Sequence, residues 1–484
     1  MKYDVIIIGG GLGGLICARE LSKAGRSVCV LERQKQPGGC MQSYSRRGRH
    51  FDTGLHYVGG LAPGQRLHRA FAHLGLMDLP WKRLDADGFD RVTIAGRTFD
   101  FAEGFDRFAD SLSRHFPAER DALKSYVAML QHVDSIPIGS QEAMHYMGLN
   151  AYDYLCDTFH DPLLVNVLAG NAMRLELRRQ SLPLFTFVHA TSSYIESSWR
   201  LAGDGGMLVK ALADDIRAAG GDIVCGAQVV ELTEGNGQMT AARITTGETY
   251  EARIFISDIH PAQTLDLVAE SRLLSRLFRR RISSLQNTGG MLTVSLVLKP
   301  GSVDYFNHNK FVYREANVWE EPCCEPQIDR VMLSCRVPSG NGLLLDLLAP
   351  VSLEAFSAWA DTRVGHRGAG YEQLKARLAK QCIAVAERVI PGLATMVDEC
   401  YVSTPLTWRD YTLTPGGSAY GIRKDCRMPL LTILSSRTPV PNLLLTGQSL
   451  VLHGVEGVTM TALQTCSEIL GKDYIQSIFT DNPE

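Results

Sequence analysis

The chain has 484 residues, and its 45% hydrophobic and 21% charged content allows a sizeable buried core and excludes a disordered polymer. Forty-nine Lys and Arg against 52 Asp and Glu give a net charge of −3, which excludes nucleic acid as the main partner, because phosphate binding needs a clear basic excess. The 45 glycines and 20 prolines carry no collagen-like period, mean hydropathy is −0.04, and no apolar run reaches the roughly 18 residues of a membrane-spanning helix, so a large soluble enzyme or binding protein is predicted.

Met1-Lys2-Tyr3-Asp4 runs straight into an apolar strand, without the leader and cleavage site of a secretory signal. Twelve cysteines are scattered, Cys323-Cys324 being the one close pair, and none has zinc spacing. No metal is expected, and free, mostly buried thiols in a reducing cytoplasm are.

Val5-Ile6-Ile7-Ile8 reads as a strand buried on both faces. Gly9, Gly11 and Gly14 follow as GxGxxG. A helix with Leu15, Ala18 and Leu21 inward then ends at Gly25, and a second strand, residues 27–31, leads to Glu32. The three glycines act differently. Gly9 turns the chain, Gly11 admits a pyrophosphate to the backbone, and Gly14 lets helix and strand pack closely. The helix N-terminus presents free N–H groups to the phosphates, and Glu32 can accept bonds from ribose hydroxyls. A strand–glycine loop–helix unit closed by an acid predicts a bound dinucleotide.

Gly38-Gly39, six residues after Glu32, is a pair that a nicotinamide-only Rossmann domain does not need. With these motifs the chain resembles the superfamily of FAD-dependent amine oxidases and carotenoid desaturases. The resemblance implies FAD as the tightly held cofactor. It places Gly9, Gly11, Leu12, Gly13 and Gly14 at the pyrophosphate, Glu32 and Arg33 past the second strand, and Gly38 and Gly39 near the flavin end. Four later segments match in order: residues 51–60 (FDTGLHYVGG), 203–232, 252–261 (ARIFISDIHP) and 442–471. The resemblance implies that the backbone of Val229 meets the adenine. It also implies that Gly447 makes a tight turn and that a helix over 457–470, with Val458 in its first turn, points its N-terminus at the flavin or its pyrophosphate. The implied fold is α/β: a discontinuous Rossmann-type FAD domain (1–80, 200–290 and 425–484) with an α+β substrate domain (81–199 and 291–424). Helices are expected over 104–133, and strands over 291–299 and 343–348.

Residues 51–59 resemble most the retinol saturase and carotenoid isomerase side of the family, as do residues 403–407 and 415–421. This implies hydride transfer at flavin N5 to or from a C=C bond of an apolar polyene or isoprenoid, with a proton moving at the other carbon. An apolar tunnel suits such a substrate. Nicotinamide, NAD(P) included, quinone and oxygen all stay open as electron partner. No second GxGxxG marks a resident nicotinamide site, so a transient donor or acceptor is expected.

His56 and Glu456 are the candidate proton-handling residues. The alternatives are a core histidine and a carboxylate favoured by a helix N-terminus. Tyr57 and His453 share the position argument. Arg46, Arg47 and Arg49 read as a solvated loop, with anion or lipid headgroup contact as the sharper option. Residues 159–167 and 182–188 are apolar enough for peripheral membrane contact, ordinary packing being the favoured reading. Other readings are a carotenoid-type cis/trans isomerase using reduced FAD, an amine oxidase with an aromatic cage drawn from Trp408, Tyr411 and Tyr420, and a prenyl-binding escort without flavin. Oligomeric state is open.

Overall fold

The computed structural model describes residues 1–138, 140–319, 327–338 and 342–480; the Cys323-Cys324 pair lies outside them. Lys2–Ile8 is the central strand of a seven-stranded sheet, parallel to Val28–Glu32 on one side and Thr249–Ser257 on the other. Asp222–Cys225 extends the sheet beyond Val28–Glu32. The strand Thr249–Ser257 changes neighbour along its length. Its first part pairs with the antiparallel hairpin Val229–Gly235 and Gln238–Ile244, and its last three residues pair in parallel with Leu443–Leu445.

The alternation of the first strand explains why this sheet is covered on both faces. Val5 and Ile7 enter one core with the helices Leu12–Lys23, Gly206–Ala218 and Gly454–Leu470, while Ile6 and Ile8 enter a second core with Phe255, Leu443 and Leu445. All strands of this sheet come from residues 2–32, 222–257 and 443–445.

The second seven-stranded sheet draws its strands from residues 90–101 and 290–403. Gly290–Leu298 and Leu344–Val351 pair antiparallel at its centre, near the predicted positions. The expected helical stretch 104–133 is two helices, Phe105–Ser113 and Arg120–Ser135, separated by a 3₁₀ turn at Pro117–Glu119. A three-stranded sheet of Val58–Gly59, Ser198–Leu201 and Trp81–Arg83 lies where the segments of the two large sheets meet in sequence.

Two of the sharper alternatives find no support here, and ordinary packing, the favoured reading of the apolar runs, holds. Residues 159–167 and 182–188 are not a surface patch: Phe159, Leu164, Val167, Leu184, Phe185 and Phe187 are all buried in the core against the second sheet. Apolar composition alone does not distinguish a membrane face from a core helix. The arginines of the hairpin 43–52 are not a free anion site either, because Arg49 and Arg47 reach Glu399 at 2.7 and 3.7 Å and Arg46 lies 5.3 Å over the Tyr44 ring.

Candidate functional site

The parallel strands deliver their C-terminal ends to a cleft of about 380 Å³. Its lining includes Gly9, Gly11, Leu12, Gly13, Glu32, Arg33, Gly38, Gly39, Val229, Gly447 and Val458, so most of the residues named from the sequence converge on one space. Val229 stands with Gln263, Asp266 and Leu267 from one helix and turn, while Gly454, Val455 and Val458 come from the last long helix. Gly38 N–H donates to the Gly10 carbonyl at 2.6 Å, and a Cβ on Gly39 would come within 3.1 Å of Gly11 Cα. The second glycine pair thus folds directly onto the first glycine loop.

Gly14 and Gly457 are not among the lining residues. A Cβ on Gly14 would sit 2.3 Å from the Gly9 carbonyl oxygen, and one on Gly457 2.7 Å from the Leu452 backbone. Both serve close packing. For this reason the last long helix does not start at Gly457 as expected but at Gly454, with Gly457 already inside it.

The donors and acceptors fit a dinucleotide. Glu32, at the end of its strand, accepts from Gly10 N–H at 2.8 Å and Gln34 N–H at 2.6 Å, leaving lone pairs for ribose hydroxyls. The glycine loop is a cradle that any Cβ would fill, at the N-terminus of Leu12–Lys23. Arg33 fastens the second domain to this end of the cleft by donating to the carbonyls of Asp410 and Tyr411.

Asp258 was not singled out from the sequence. It follows the strand Thr249–Ser257, and the register Ile8↔Ser257 sets it beside the glycine loop. Its carboxyl accepts from the N–H groups of Gly11 and Gly14, yet burial pushes its pKa up to about 7. Below that pH it is neutral and tolerates a neighbouring pyrophosphate; above it, two anions share one helix N-terminus. Dinucleotide affinity is therefore expected to fall by roughly tenfold between pH 6 and 8.5, and Asp258→Asn to flatten that slope. Titration of flavin fluorescence at several pH values checks it.

Outside the cleft lining, beside the start of the last long helix, lies a polar and aromatic cluster. His453 caps the last long helix and packs on Tyr420 at 4.8 Å between ring centroids. Nearby, Tyr57 donates to Asp90 at 3.0 Å and accepts from Arg174 at 2.9 Å, and the Arg174 guanidinium lies 3.9 Å over Tyr194. Asn171 and Asn309 complete the bonds to Asp90, which is fully buried. Tyr57 is thus a fixed link between a buried cation and a buried acid. Asp90 lies far in sequence from Asn171 and Arg174, and no local pattern marks them.

Of the two proton-handling candidates, Glu456 is in the first turn of the last long helix, next to cleft-lining Val455, but its own side chain faces Arg66 and is not among the lining residues. Burial pushes its pKa up; Arg66, 3.6 Å away, only partly opposes this. His56 is elsewhere. Its Nδ1 is 3.9 Å from Asp346, its Nε2 is buried without a partner, and it does not line the cleft. Burial pushes its pKa down to about 4 rather than near neutrality, so it is uncharged and no proton donor at physiological pH. His453 is likewise held down to about 4, by burial and by the charges of Arg174 and Lys424.

Lys424 supports this region. Its buried Nζ donates to the carbonyls of Thr432, Ser449 and Leu450 at 2.8–2.9 Å, and Ser449 lines the cleft. Lys424→Met would orphan three carbonyls, and a loss of about 2–5 kcal/mol in denaturant unfolding is expected, with weakened cofactor retention.

A side pocket of about 180 Å³ shares Gly39, Gln42, Tyr411 and Thr412 with the cleft, but its walls carry Arg46, Asp52, Thr293 and Ser403. It is not the apolar tunnel the resemblance implies. Apolar surface lies instead at Tyr194, Tyr420, Val451 and Leu452, which pack on the core of the second sheet beside the helix start. Among the described residues, Tyr411 is the only Phe, Trp or Tyr lining the main cleft; Trp408 lines only the side pocket, and Tyr420 packs on His453.

Residues 7–74 match the NAD(P)-binding Rossmann-like domain family. All-trans-retinol 13,14-reductase of Danio rerio is 25% identical, the match covering 99% of this chain and 87% of that protein, and the Homo sapiens enzyme of the same name is 24% identical with the same coverage. Prolycopene isomerase of Daucus carota is 24% identical over 93% of this chain and 76% of its own length. Along nearly its whole length the chain is similar to retinol saturases and carotenoid isomerases. Solved structures agree on the fold. An oxidoreductase from Methanosarcina mazei superposes with a TM-score of 0.67 at 18% identity, covering 96% of this chain and 99% of that one. Putrescine oxidase bound to putrescine superposes with a TM-score of 0.68 at 18% identity, covering 97% and 99%. The chain therefore has a Rossmann-type dinucleotide domain joined to a second, mixed domain, the fold it shares with these oxidases.

Proposed function

We propose that the chain is an FAD-dependent oxidoreductase that adds or removes two hydrogens across a C=C bond of an apolar polyene or isoprenoid. The observation that carries this reading is the similarity to all-trans-retinol 13,14-reductases along 99% of the chain, with segments from the start, middle and end of the sequence lining one cleft. FAD, when bound, supplies or takes up the hydride. The protein's own part is to hold the other groups. The glycine loop and Glu32 hold pyrophosphate and ribose. Apolar surface at Val451 and Leu452 orients a chain that offers no heteroatom to grip. Glu456, whose pKa burial raises, gives a proton to the second carbon in saturation when protonated and regains it from solvent, or accepts one as the carboxylate in desaturation.

Reconstitution with FAD under anaerobic conditions tests the reading. Reduced protein mixed with a polyene should yield product two hydrogens heavier, or oxidised protein product two hydrogens lighter, with matching change in flavin absorbance. Unchanged mass with an altered polyene spectrum selects the isomerase reading, which the similarity to prolycopene isomerases favours. Peroxide released from an amine would select the oxidase reading; the lack of a cage among the described residues of the cleft weighs against it. Nicotinamide or quinone serves as a transient electron partner, read out by stopped-flow reduction or oxidation of the flavin. The described cysteines are unpaired thiols, which supports a cytoplasmic site. No described helix is long and apolar enough to cross a membrane.

A further inference from the structure

The helix Arg276–Ser283 carries a charge pattern unlike the rest of this nearly neutral chain. Residues 272–281 contain five arginines and no acid. Arg279 is committed internally, donating to the carbonyls of Leu265 and Val268. Arg272, Arg276, Arg280 and Arg281 are exposed, and among the described residues none of them pairs with a carboxylate. The helix is divided cleanly. Phe278 and Ile282 face the core, whereas Arg276, Leu277, Arg280 and Arg281 occupy the opposite arc. Leu277 is 78% exposed, and Leu273, just before the helix, is 39% exposed. A solvated helix has no use for a leucine standing free among arginines.

A second apolar protrusion lies on another short helix. Met428, Leu430 and Leu431 are 48%, 76% and 41% exposed on the short helix Pro429–Thr432 and the residue before it. The two elements share a support: Ile282, Ile422 and Leu434 belong to one core, and Asn287 bridges to Ile422. A narrow crevice lined by Ile422, Thr288, Glu176, Arg423 and His453 lies beside that support.

We propose that these two elements dock the protein peripherally on an anionic phospholipid surface, with the arginines among the headgroups and Leu277 and Leu430 in the interface. Charge complementarity selects this occupant, since arginines without carboxylate partners and free leucines on one arc form a basic amphipathic helix. Nucleic acid would engage the arginines and leave the leucines in water. A second copy of the chain in a twofold contact would set the same arginines against each other. The surface stands whether or not the redox reading holds.

Co-sedimentation of the full-length protein with phosphatidylcholine vesicles, with and without phosphatidylglycerol, tests this in the absence of any substrate. Binding is expected only to the anionic vesicles, and to weaken with salt. The Arg276→Ala/Arg280→Ala/Arg281→Ala variant should lose partitioning on the order of 100-fold. Leu277→Ser and Leu430→Ser, which leave the charge intact, should each lose about tenfold. All these side chains are exposed, and unchanged thermal melts will show that the variants fold. No preference for anionic vesicles, or unchanged partitioning of the triple variant, would overturn the proposal. So would binding to a DNA duplex but not to vesicles, or a dimer in solution that the leucine variants dissolve.

Discussion

Glu456→Gln is expected to slow product formation by roughly 10²–10⁴-fold while leaving the bound flavin content unchanged. The amide has the shape of the acid and can still face Arg66, but it carries no transferable proton. The sign of the pH effect follows from the same geometry. Burial outweighs Arg66 and raises the folded-state pKa of Glu456, so the proton-bearing form persists above the ordinary carboxylate range and disappears as pH rises through the raised value. Wild-type saturation should therefore fall on the alkaline side, and the variant should lack that limb. Single-turnover oxidation of reduced flavin by polyene, followed across pH, measures both. Equal rates and the same limb in the variant would mean that the proton comes from another group. His56 and His453 are poor substitutes, since both are held neutral with pKa about 4.

Gly11→Ala should give a folded protein that purifies without flavin, with cofactor affinity reduced by on the order of 100-fold or more. A Cβ there would come 2.4 Å from Asp258 Oδ2. The carboxyl is itself held by the N–H groups of Gly11 and Gly14, so relief comes only by displacing it into the phosphate space or by moving the loop. Gly14→Ala makes the informative contrast. Its Cβ would meet the Gly9 carbonyl at 2.3 Å, with no side chain free to give way, and a loss of roughly 1–3 kcal/mol in fold stability is expected alongside any loss of cofactor. Acid-released flavin per mole of protein and thermal melts of both variants separate the two outcomes.

The features legible in the sequence were those written in adjacent residues. Val5 to Ile8 alternate between two cores, the three glycines follow in one loop, and Glu32 closes the next strand, so strand, phosphate cradle and ribose acceptor could all be read locally. Gly457 was read as a helix boundary because glycine serves both turns and close contacts, and only the Leu452 backbone beside it decides which. Asp258 escaped because one aspartate after a strand has no pattern; parallel pairing of Ile8 with Ser257 gives it its place. The Asp90–Tyr57–Arg174 link joins three remote segments and has no local signature. Apolar runs left two readings open where burial depends on the partner: residues 182–188 sit in a core, as the favoured reading had it, while the exposed Leu277 stands in a run dominated by arginines.

The change of neighbour along Thr249–Ser257 also bears on how the molecule is made. The glycine loop is complete within the first 14 residues, yet its strand pairs with residues 251–257, and that strand's last edge is covered only by residues 443–445. During synthesis the nascent domain therefore carries an open, apolar strand edge until nearly the whole chain has left the ribosome. Cofactor capture has to wait for Gly447 and the Gly454–Leu470 helix, which wall the cleft and follow its other lining segments in the chain. Chains cut short before residue 443 should expose that edge and aggregate.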